Sequence, residues 1–238
     1  AGGASGIATT TVTVTNVAPT VAFTSDAPKP ENATVTINGT VTDPGWLDPL
    51  TATVDWGDGT PVEPLGGVLE NVRPDATLGF SKLHVYGDNG AFTVTVCGSD
   101  DDTTTCRGES VTVSNVNPTA QIDESTAISF NGVPTILAHA GQPVPFSARS
   151  QDPGSDDLRL RWKWDDGTAD TVTDNLVNPP ILDPFPSPSI QPRDVTDAKS
   201  HTFGKACFYE VKFSSLDDDT GSGQDAINVV IVGNATQV

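Results

Sequence analysis

One stretch of this sequence occurs twice, and this duplication constrains the fold more than any other feature. Residues 84–102 align without a gap with residues 201–219, so that His84 meets His201 and an Asp triplet ends both copies. The period of 117 residues, the difference between positions 84 and 201, is the size of a domain and not of a short solenoid repeat. We therefore expect two similar domains, each with its own core.

Alternating patterns between turn residues predict β-strands in both copies. Ala52, Val54 and Trp56, for example, would share one face of a strand. About seven such strands per copy, with a Trp in a middle strand, predict two tandem antiparallel β-sandwiches of the immunoglobulin type. The predicted domains are residues 18–116, here called module 1, and residues 117–238, called module 2. The proline-rich segment 175–193 is expected to be an ordered surface excursion or a flexible loop.

Residues 8–16 look like the last strand of a further copy. Their alternating Thr and Val, followed by Asn16 and Pro19, resemble residues 110–119. We therefore predict that residues 1–17 are an extra N-terminal strand with its linker. It is a remnant of an upstream domain, a strand docked on this molecule, or a strand given to a neighbour by β-augmentation. Residues 1–6 lack the features of a signal peptide, so we expect a removed leader or a piece of a longer chain.

The charge of the chain argues against several kinds of partner. Twelve Lys and Arg against thirty-one Asp and Glu give a net charge of −19 at pH 7 and a pI near 4.1. Such a field repels nucleic acid and anionic membranes and attracts cations. No apolar run approaches the roughly 18 residues of a membrane span. We expect neither nucleic-acid binding nor membrane insertion.

The cysteines indicate an oxidising compartment. Cys97 and Cys106 flank an acidic loop between two predicted strands, and we expect them to form a disulfide in an extracellular or cell-surface protein. Cys207 is left over, and we expect a shielded free thiol, with pairing between molecules as the alternative. Candidate N-glycosylation triplets begin at Asn32, Asn38 and Asn234.

Several motifs of module 1 occur in a fixed order. They are Asp-Pro-Gly at 43–45, Val-Asp-Trp-Gly-Asp-Gly-Thr at 54–60, His-Val-Tyr at 84–86, the Asp triplet at 100–102 and Val-Ser-Asn-Val-Asn-Pro at 113–118. In this order they resemble the motifs of the PKD (polycystic kidney disease) repeat, and module 2 matches them more weakly than module 1. The resemblance covers roughly residues 18–235 and implies extracellular immunoglobulin-like sandwiches that act as spacers or interaction modules.

The resemblance implies a non-enzymatic structural or adhesive protein. Its modules would serve spacing, display or assembly into a filament or surface layer, with edge strands pairing with other domains or with copies of the chain. The alternative is a pair of carbohydrate- or protein-binding accessory modules of a larger secreted hydrolase. Trp46, in a loop beside Pro44, is the candidate for stacking on a sugar or a partner, and folding over its own sandwich is its other interpretation.

Other conspicuous residues are expected to be structural. Trp56, Trp162 and Trp164 are predicted to fill the cores, and Asp58 and Asp166 to accept backbone hydrogen bonds in turns. The two recurring histidines have no recurring His or Cys partner, which argues against zinc. We recognise no catalytic group of residues in the sequence.

The acidic loops are the strongest candidates for a binding site. In an immunoglobulin-type sandwich the loop after the second strand and the loop before the last strand lie at the end where the chain enters. A hard cation with oxygen ligands would relieve the repulsion between clustered carboxylates, and some PKD repeats bind calcium near this end. We therefore expect calcium, with solvated acidic turns as the alternative. The candidate ligands are Asp43, Asp48, Asp100 and Asp102 near Asn16, and Asp152, Asp156, Asp157, Asp217 and Asp219 with Asn117.

Overall fold

The computed structural model describes residues 6–68, 74–177 and 189–233, and the predicted all-β fold is confirmed there. These residues form seventeen strands and no helix. Accordingly, the described part of the chain contains no helix that is long and apolar enough to cross a membrane.

The described part of module 1 contains eight strands in two sheets whose apolar faces share one core. The strands are β1 Thr20–Ser25, β2 Lys29–Pro30, β3 Thr34–Asp43, β4 Leu50–Asp55, β5 Glu63–Val68, β6 Ala76–Val85, β7 Gly90–Ser99 and β8 Thr104–Ser114. One sheet has the order β1-β3-β6 and the other the order β2-β8-β7-β4-β5. Neighbouring strands are antiparallel, except that β2 runs parallel to β8.

Module 2 repeats this plan with nine strands in its described ranges, 117–177 and 189–233. They are β9 Thr119–Ile122, β10 Ile128–Phe130, β11 Val133–His139, β12 Pro143–Asp152, β13 Leu158–Lys163, β14 Thr171–Asn175, β15 Arg193–Thr202, β16 Cys207–Leu216 and β17 Ser222–Val232. The sheets have the orders β15-β12-β9 and β10-β11-β17-β16-β13-β14, and β11 runs parallel to β17 as β2 does to β8.

Each module has its own apolar core, and the two cores have no residue in common. Val54 and Trp56, predicted to point inward, are both 0 % exposed. The sequence of β6 also alternates, with Ala76, Leu78 and Phe80 buried. Alternation thus places the core residues of both sheets on facing surfaces.

Corresponding residues of the two modules can be identified from their hydrogen bonds. In module 1 the N–H of Glu31 donates to Ser114 O at 3.0 Å, just after β2. In module 2 the N–H of Ala140 donates to Val232 O at 3.0 Å, just after β11. The two turns therefore have the same hydrogen bond, and Glu31 corresponds to Ala140.

The predicted strand over residues 8–16 is not formed in this structure. Residues 6–19 belong to no strand, and β1 begins only at Thr20. A strand needs a partner for its backbone N–H and C=O groups, and the apolar side chains that alternate here are exposed instead, Val12 by 77 % and Val14 by 88 %. Pairing of this segment with another molecule stays a prediction. The prolines between residues 178 and 188 lie outside the described residues.

The predicted disulfide is present. Cys97 and Cys106 face each other across β7 and β8, with their Cα atoms 4.0 Å apart. Cys207 is a free thiol, but the expectation that it is shielded is wrong: it begins β16 directly after exposed loop residues, and its own side chain is exposed. Asn32 and Asn38 are exposed, and Asn234 lies outside the described residues.

Candidate metal centre between the modules

The acidic loops of module 2 lie against module 1. We call the end at which the chain enters a module its proximal end and the opposite end its distal end. The distal turns of module 1, between β2 and β3 and between β6 and β7, face the proximal loops of module 2, between β12 and β13 and between β16 and β17. A backbone hydrogen bond joins the two ends, from the N–H of Ser155 to Gly87 O at 2.7 Å.

Seven carboxylates converge at this contact, and we call them the junction cluster. They form three overlapping groups whose ligand oxygens lie within 4.8 Å of one another, and Asp156 belongs to all three. The groups are Glu31 with Asp88 and Asp156, Asp152 with Asp156 and Asp217, and Asp156 with Asp218 and Asp219. Glu31 and Asp88 come from module 1 and the other five from module 2, so the cluster exists only where the modules meet.

The centre of the junction cluster is buried and short of hydrogen-bond donors. Glu31, Asp152 and Asp156 are 2 %, 2 % and 1 % exposed. Among the described residues, no donor reaches Glu31 Oε2, Asp152 Oδ2 or either carboxylate oxygen of Asp156. Burying an oxygen without a partner costs free energy. A cation bound among these oxygens would remove that cost.

Backbone N–H groups fix the carboxylates on their remaining sides. Glu31 Oε1 accepts from the N–H of Val116 at 2.6 Å, and Asp152 Oδ1 accepts from the N–H of Gly154 at 2.8 Å. A β-carbon at position 154 would lie 2.6 Å from the carboxyl carbon of Glu31. Glycine at this position therefore allows the two modules to approach so closely.

The linker between the modules contributes amide groups. Asn115 Nδ2 donates to Asp217 Oδ2 at 3.0 Å, while Asn115 Oδ1 is buried without a donor among the described residues. Asn117, predicted to lie near the acidic loops, does so: a β-carbon at Gly221 would lie 2.0 Å from Asp217 Oδ2 and 2.8 Å from Asn117 Oδ1. The linker therefore adds amide oxygens to the carboxylates.

Electrostatics make the junction cluster hold protons when no cation is bound. Burial, followed by the nearby carboxylates, raises the pKa of Asp156 to about 9 and that of Glu31 to about 8. Burial also raises the pKa of Asp218 to about 7 and the pKa values of Asp152 and Asp219 to about 6. Charge repulsion adds to desolvation in each case, and a cation would reverse both effects.

Most of the residues predicted for module 2 lie in the junction cluster. Asp152, Asp156, Asp217 and Asp219 belong to it. Asp157 is engaged elsewhere, because one of its carboxylate oxygens accepts from the backbone N–H of Val177. Its own backbone N–H donates to Asp218 Oδ1 at 3.1 Å, so Asp157 contacts the cluster without belonging to it.

The residues predicted for module 1 do not form such a group, since among the described residues no set of three ligands within 4.8 Å occurs there. Asp43 is 0 % exposed, and its Oδ2 lacks a donor from the described part of the chain. Asp100 lies near Asn16, as predicted, and accepts a hydrogen bond from Asn16 Nδ2 at 3.0 Å. Asp102 is exposed. Burial, followed by neighbouring carboxylates, raises the pKa of Asp48.

Glu31, Asp88 and Asn115 were not predicted. Glu31 corresponds to Ala140, and Asp88 corresponds to Lys205 in the duplicated stretch. Module 2 forms the same turns without acidic residues, so the fold does not require acids at these two positions. The difference between the two copies was a signal in the sequence that the prediction did not use.

The recurring histidines belong to a second repeated arrangement. His84 Nε2 lies 2.7 Å from Asp58 Oδ2, and its ring stacks on Trp56 with centroids 4.5 Å apart. Asp58 Oδ1 accepts from the N–H of Thr60 at 3.0 Å, as predicted. Burial raises the pKa of Asp58, but hydrogen bonds from Thr60 and His84 outweigh burial and lower it. The same arrangement in module 2 consists of His201, Asp166, Thr168 and Trp164.

The tryptophans divide between core and loop. Trp56, Trp162 and Trp164 are buried, as predicted. Trp46 is half-buried in the loop between β3 and β4. Sugar stacking by Trp46, and with it the carbohydrate-binding alternative, stays a prediction.

Comparisons with known proteins assign no family to this chain. No family model matches it, and no curated protein matches it. Among solved structures, a red sea bream transglutaminase aligns with 90 % of this chain and 31 % of its own length, at 10 % identity and a TM-score of 0.33. This chain thus spans less than a third of that structure, and similarity at this level carries no argument.

Proposed function

We propose that this protein is a non-enzymatic extracellular spacer whose two PKD-like modules are held in a fixed relation by calcium at the junction cluster. One observation carries the proposal: buried carboxylate oxygens without donors among the described residues, on Glu31 from one module and on Asp152 and Asp156 from the other, meet at one place. A divalent cation there would replace repulsion between the modules by attraction to a shared charge.

The ligand chemistry favours calcium over other divalent ions. The groups that converge are carboxylates and the amides of Asn115 and Asn117, all oxygen ligands that hard cations prefer. Magnesium usually keeps several waters and takes only one or two carboxylates, whereas calcium accepts about six to eight oxygens in flexible geometry. Seven carboxylates in one cluster therefore fit calcium better.

A cation at this place would have a mechanical effect. Contacts between domains of one chain are usually small and polar, so domain motion is the default expectation. An ion bound by Glu31 and Asp88 on one side and by Asp156 on the other would restrain that motion. An extracellular location is supported by the disulfide, which persists in oxidising compartments. Extracellular modules often bind calcium with Kd values of roughly 10⁻⁴–10⁻³ M.

Small-angle X-ray scattering on the full chain tests the proposal. We expect the distribution of interatomic distances to be broad in EDTA and to narrow when calcium chloride is added, with a rise in Tm under the same conditions. The double variant Glu31→Gln, Asp88→Asn should keep the broad distribution in calcium, and magnesium chloride at equal concentration is the ion control. Identical scattering and melting curves of the wild-type protein with and without calcium would rule the proposal out.

A further inference from the structure

We propose that the junction cluster holds two calcium ions bridged by Asp156, one between the modules and one within module 2. The inference rests on the proposed function, since it specifies the number and position of the ions at the same cluster. It also separates the two roles of the cluster, because only one ion position uses residues of module 1.

Two of the three ligand groups consist of buried residues alone, and these two groups meet at a single carboxylate. Glu31 and Asp88 form one group with Asp156, while Asp152 and Asp217 form the other. Asp156 is 1 % exposed, and neither of its oxygens has a donor among the described residues. One oxygen is therefore available to each group, as in a bridging carboxylate.

Each position also has an unpartnered buried oxygen of its own. Glu31 Oε2 belongs to the position between the modules and Asp152 Oδ2 to the position within module 2, and no described donor reaches either oxygen. Both residues are 2 % exposed, so water cannot solvate these oxygens freely. A single ion at one position would leave the oxygen of the other position without a partner.

The charge of the cluster agrees with two ions. A single divalent ion would neutralise two of the seven carboxylate charges, and two ions would neutralise four. Asp218 and Asp219 are only half-buried, so solvent screens part of the charge that is left. The five carboxylates of the two inner groups lie deeper, and the second ion reduces mainly their repulsion.

Two positions imply that the ions can be removed separately. The ion within module 2 has ligands from module 2 alone, and it should bind even when the ligands from module 1 are neutralised. The ion between the modules needs Glu31 and Asp88. Asp156 is common to both positions, and its substitution should remove both ions.

Native mass spectrometry and titration calorimetry of the full chain with calcium chloride test this assignment. We expect two ions at the junction of the wild-type protein, one in Glu31→Gln, Asp88→Asn, one in Asp152→Asn, Asp217→Asn, and none in Asp156→Asn. The matched control is Asp48→Asn, because Asp48 and Asp156 each lie two residues before the leucine that begins β4 or β13; this variant should keep both junction ions. Near-ultraviolet circular dichroism of the buried tryptophans verifies folding.

The outcomes separate this inference from the proposed function. If the wild-type protein binds a single junction ion that disappears in both double variants, the two-ion assignment is overturned, but the proposed function, in which calcium at the junction cluster holds the modules, stands. Loss of both ions in either double variant overturns the inference that the two ions bind at separate positions. If the wild-type protein binds no calcium, both the assignment and the proposed function fail.

Discussion

The proximal ends of the two modules are built alike. In this structure, however, only the proximal end of module 2 contacts the distal end of another module. Both ends use a carboxylate that accepts from the N–H of a glycine two residues later, and both use an asparagine that donates to an aspartate at 3.0 Å. The matched pairs are Asp43 with Gly45 and Asp152 with Gly154, then Asn16 with Asp100 and Asn115 with Asp217. The proximal loops are therefore a shared property of the fold.

The distal ends differ, and they decide where a cation site can form. Module 1 presents Glu31 and Asp88 to the next module, whereas module 2 has Ala140 and Lys205 at the corresponding positions. A lysine there would repel a cation. The order of the modules would thus specify a cation site, because the proximal loops would supply part of its ligands and a preceding acidic distal end would supply the others.

The acidic loops at the two proximal ends are also held in different ways. In module 1 the hairpin of β7 and β8, which carries the loop with Asp100, is crossed by the disulfide between Cys97 and Cys106. At the same register in module 2, Ser214 faces Gln224, with no disulfide. The loop between β7 and β8 lies outside the junction and is held by a covalent bond. We propose that cations hold the corresponding loop between β16 and β17, which lies in the junction.

Asp156→Asn and Asp48→Asn give the largest contrast between the two ends. Asp156→Asn should abolish the stabilisation by calcium, which for each ion is about 2.7 kcal/mol at a hundredfold excess over Kd. This corresponds to roughly 5–10 °C in Tm per ion for a chain of this length. Differential scanning calorimetry in EDTA and in calcium measures the effect.

Asp48→Asn is the matched substitution at the other end and should keep most of the calcium-dependent rise in Tm. In EDTA, Asp156→Asn should melt no lower than the wild-type protein, because asparagine replaces a buried carboxyl group that must bind a proton when no cation is present. Equal loss of the calcium response in both variants would show that the two ends do not differ as the structure indicates.

The stability of the protein should depend on pH without calcium and become nearly independent of pH when calcium is bound. The pKa of Glu31 is raised to about 8 and that of Asp156 to about 9, so the folded, calcium-free protein binds more protons than the unfolded chain. Their stabilisation is complete below about pH 4 and is lost as the pH rises to between 8 and 9. With calcium bound, the carboxylates are ionised ligands in the folded protein and are also ionised in the unfolded chain above about pH 5, so stability should be nearly independent of pH from there to pH 9.

Urea denaturation between pH 5 and pH 9, in EDTA and in calcium, measures both trends. The double variant Glu31→Gln, Asp156→Asn should flatten the EDTA profile, since it removes the two groups with the highest pKa values in the cluster. An EDTA profile of the wild-type protein that rises between pH 5 and pH 9 would contradict the buried, repelling cluster.

The sequence predicted the fold and half of the site because both depend on patterns within one module. Alternation placed Val54 and Trp56 in a core, and the topology expected of an immunoglobulin-type sandwich brought the loops with Asp152 and Asp217 to one end. Both inferences need only the hydrophobic period and the topology of a single sandwich.

The rest of the site could not be predicted because it depends on contact between modules. Glu31 and Asp88 lie at the distal end of module 1, opposite to its own acidic loops. No pattern within a single module indicates that the proximal end of module 2 will face these two residues. The predicted strand at residues 8–16 is not formed in this structure for a related reason, since alternation does not supply a partner for its hydrogen bonds.

Removing the disulfide should weaken module 1 and leave the junction unchanged. Cys97→Ser with Cys106→Ser should cost about 2–3 kcal/mol in the free energy of unfolding, by the loop-entropy model for two cysteines separated by 9 residues. Urea denaturation gives the cost, and calorimetric titration with calcium should give wild-type stoichiometry. Loss of a junction ion in this variant would show that the two ends are coupled.

The asparagines that donate to the acidic loops give the smallest and most direct comparison. Asn115→Ala removes a hydrogen bond to Asp217 beside a buried cluster and should cost roughly 1.5–3 kcal/mol, the value for a bond to a charged group, reduced where solvent reaches it. Asn16→Ala removes the equivalent bond to Asp100 on an exposed surface and should cost about 0.5 kcal/mol or less. Urea denaturation in calcium compares the two variants. Both bonds are 3.0 Å long. Equal losses in the free energy of unfolding would therefore mean that contact with module 1 does not strengthen the hydrogen bond at the proximal end of module 2.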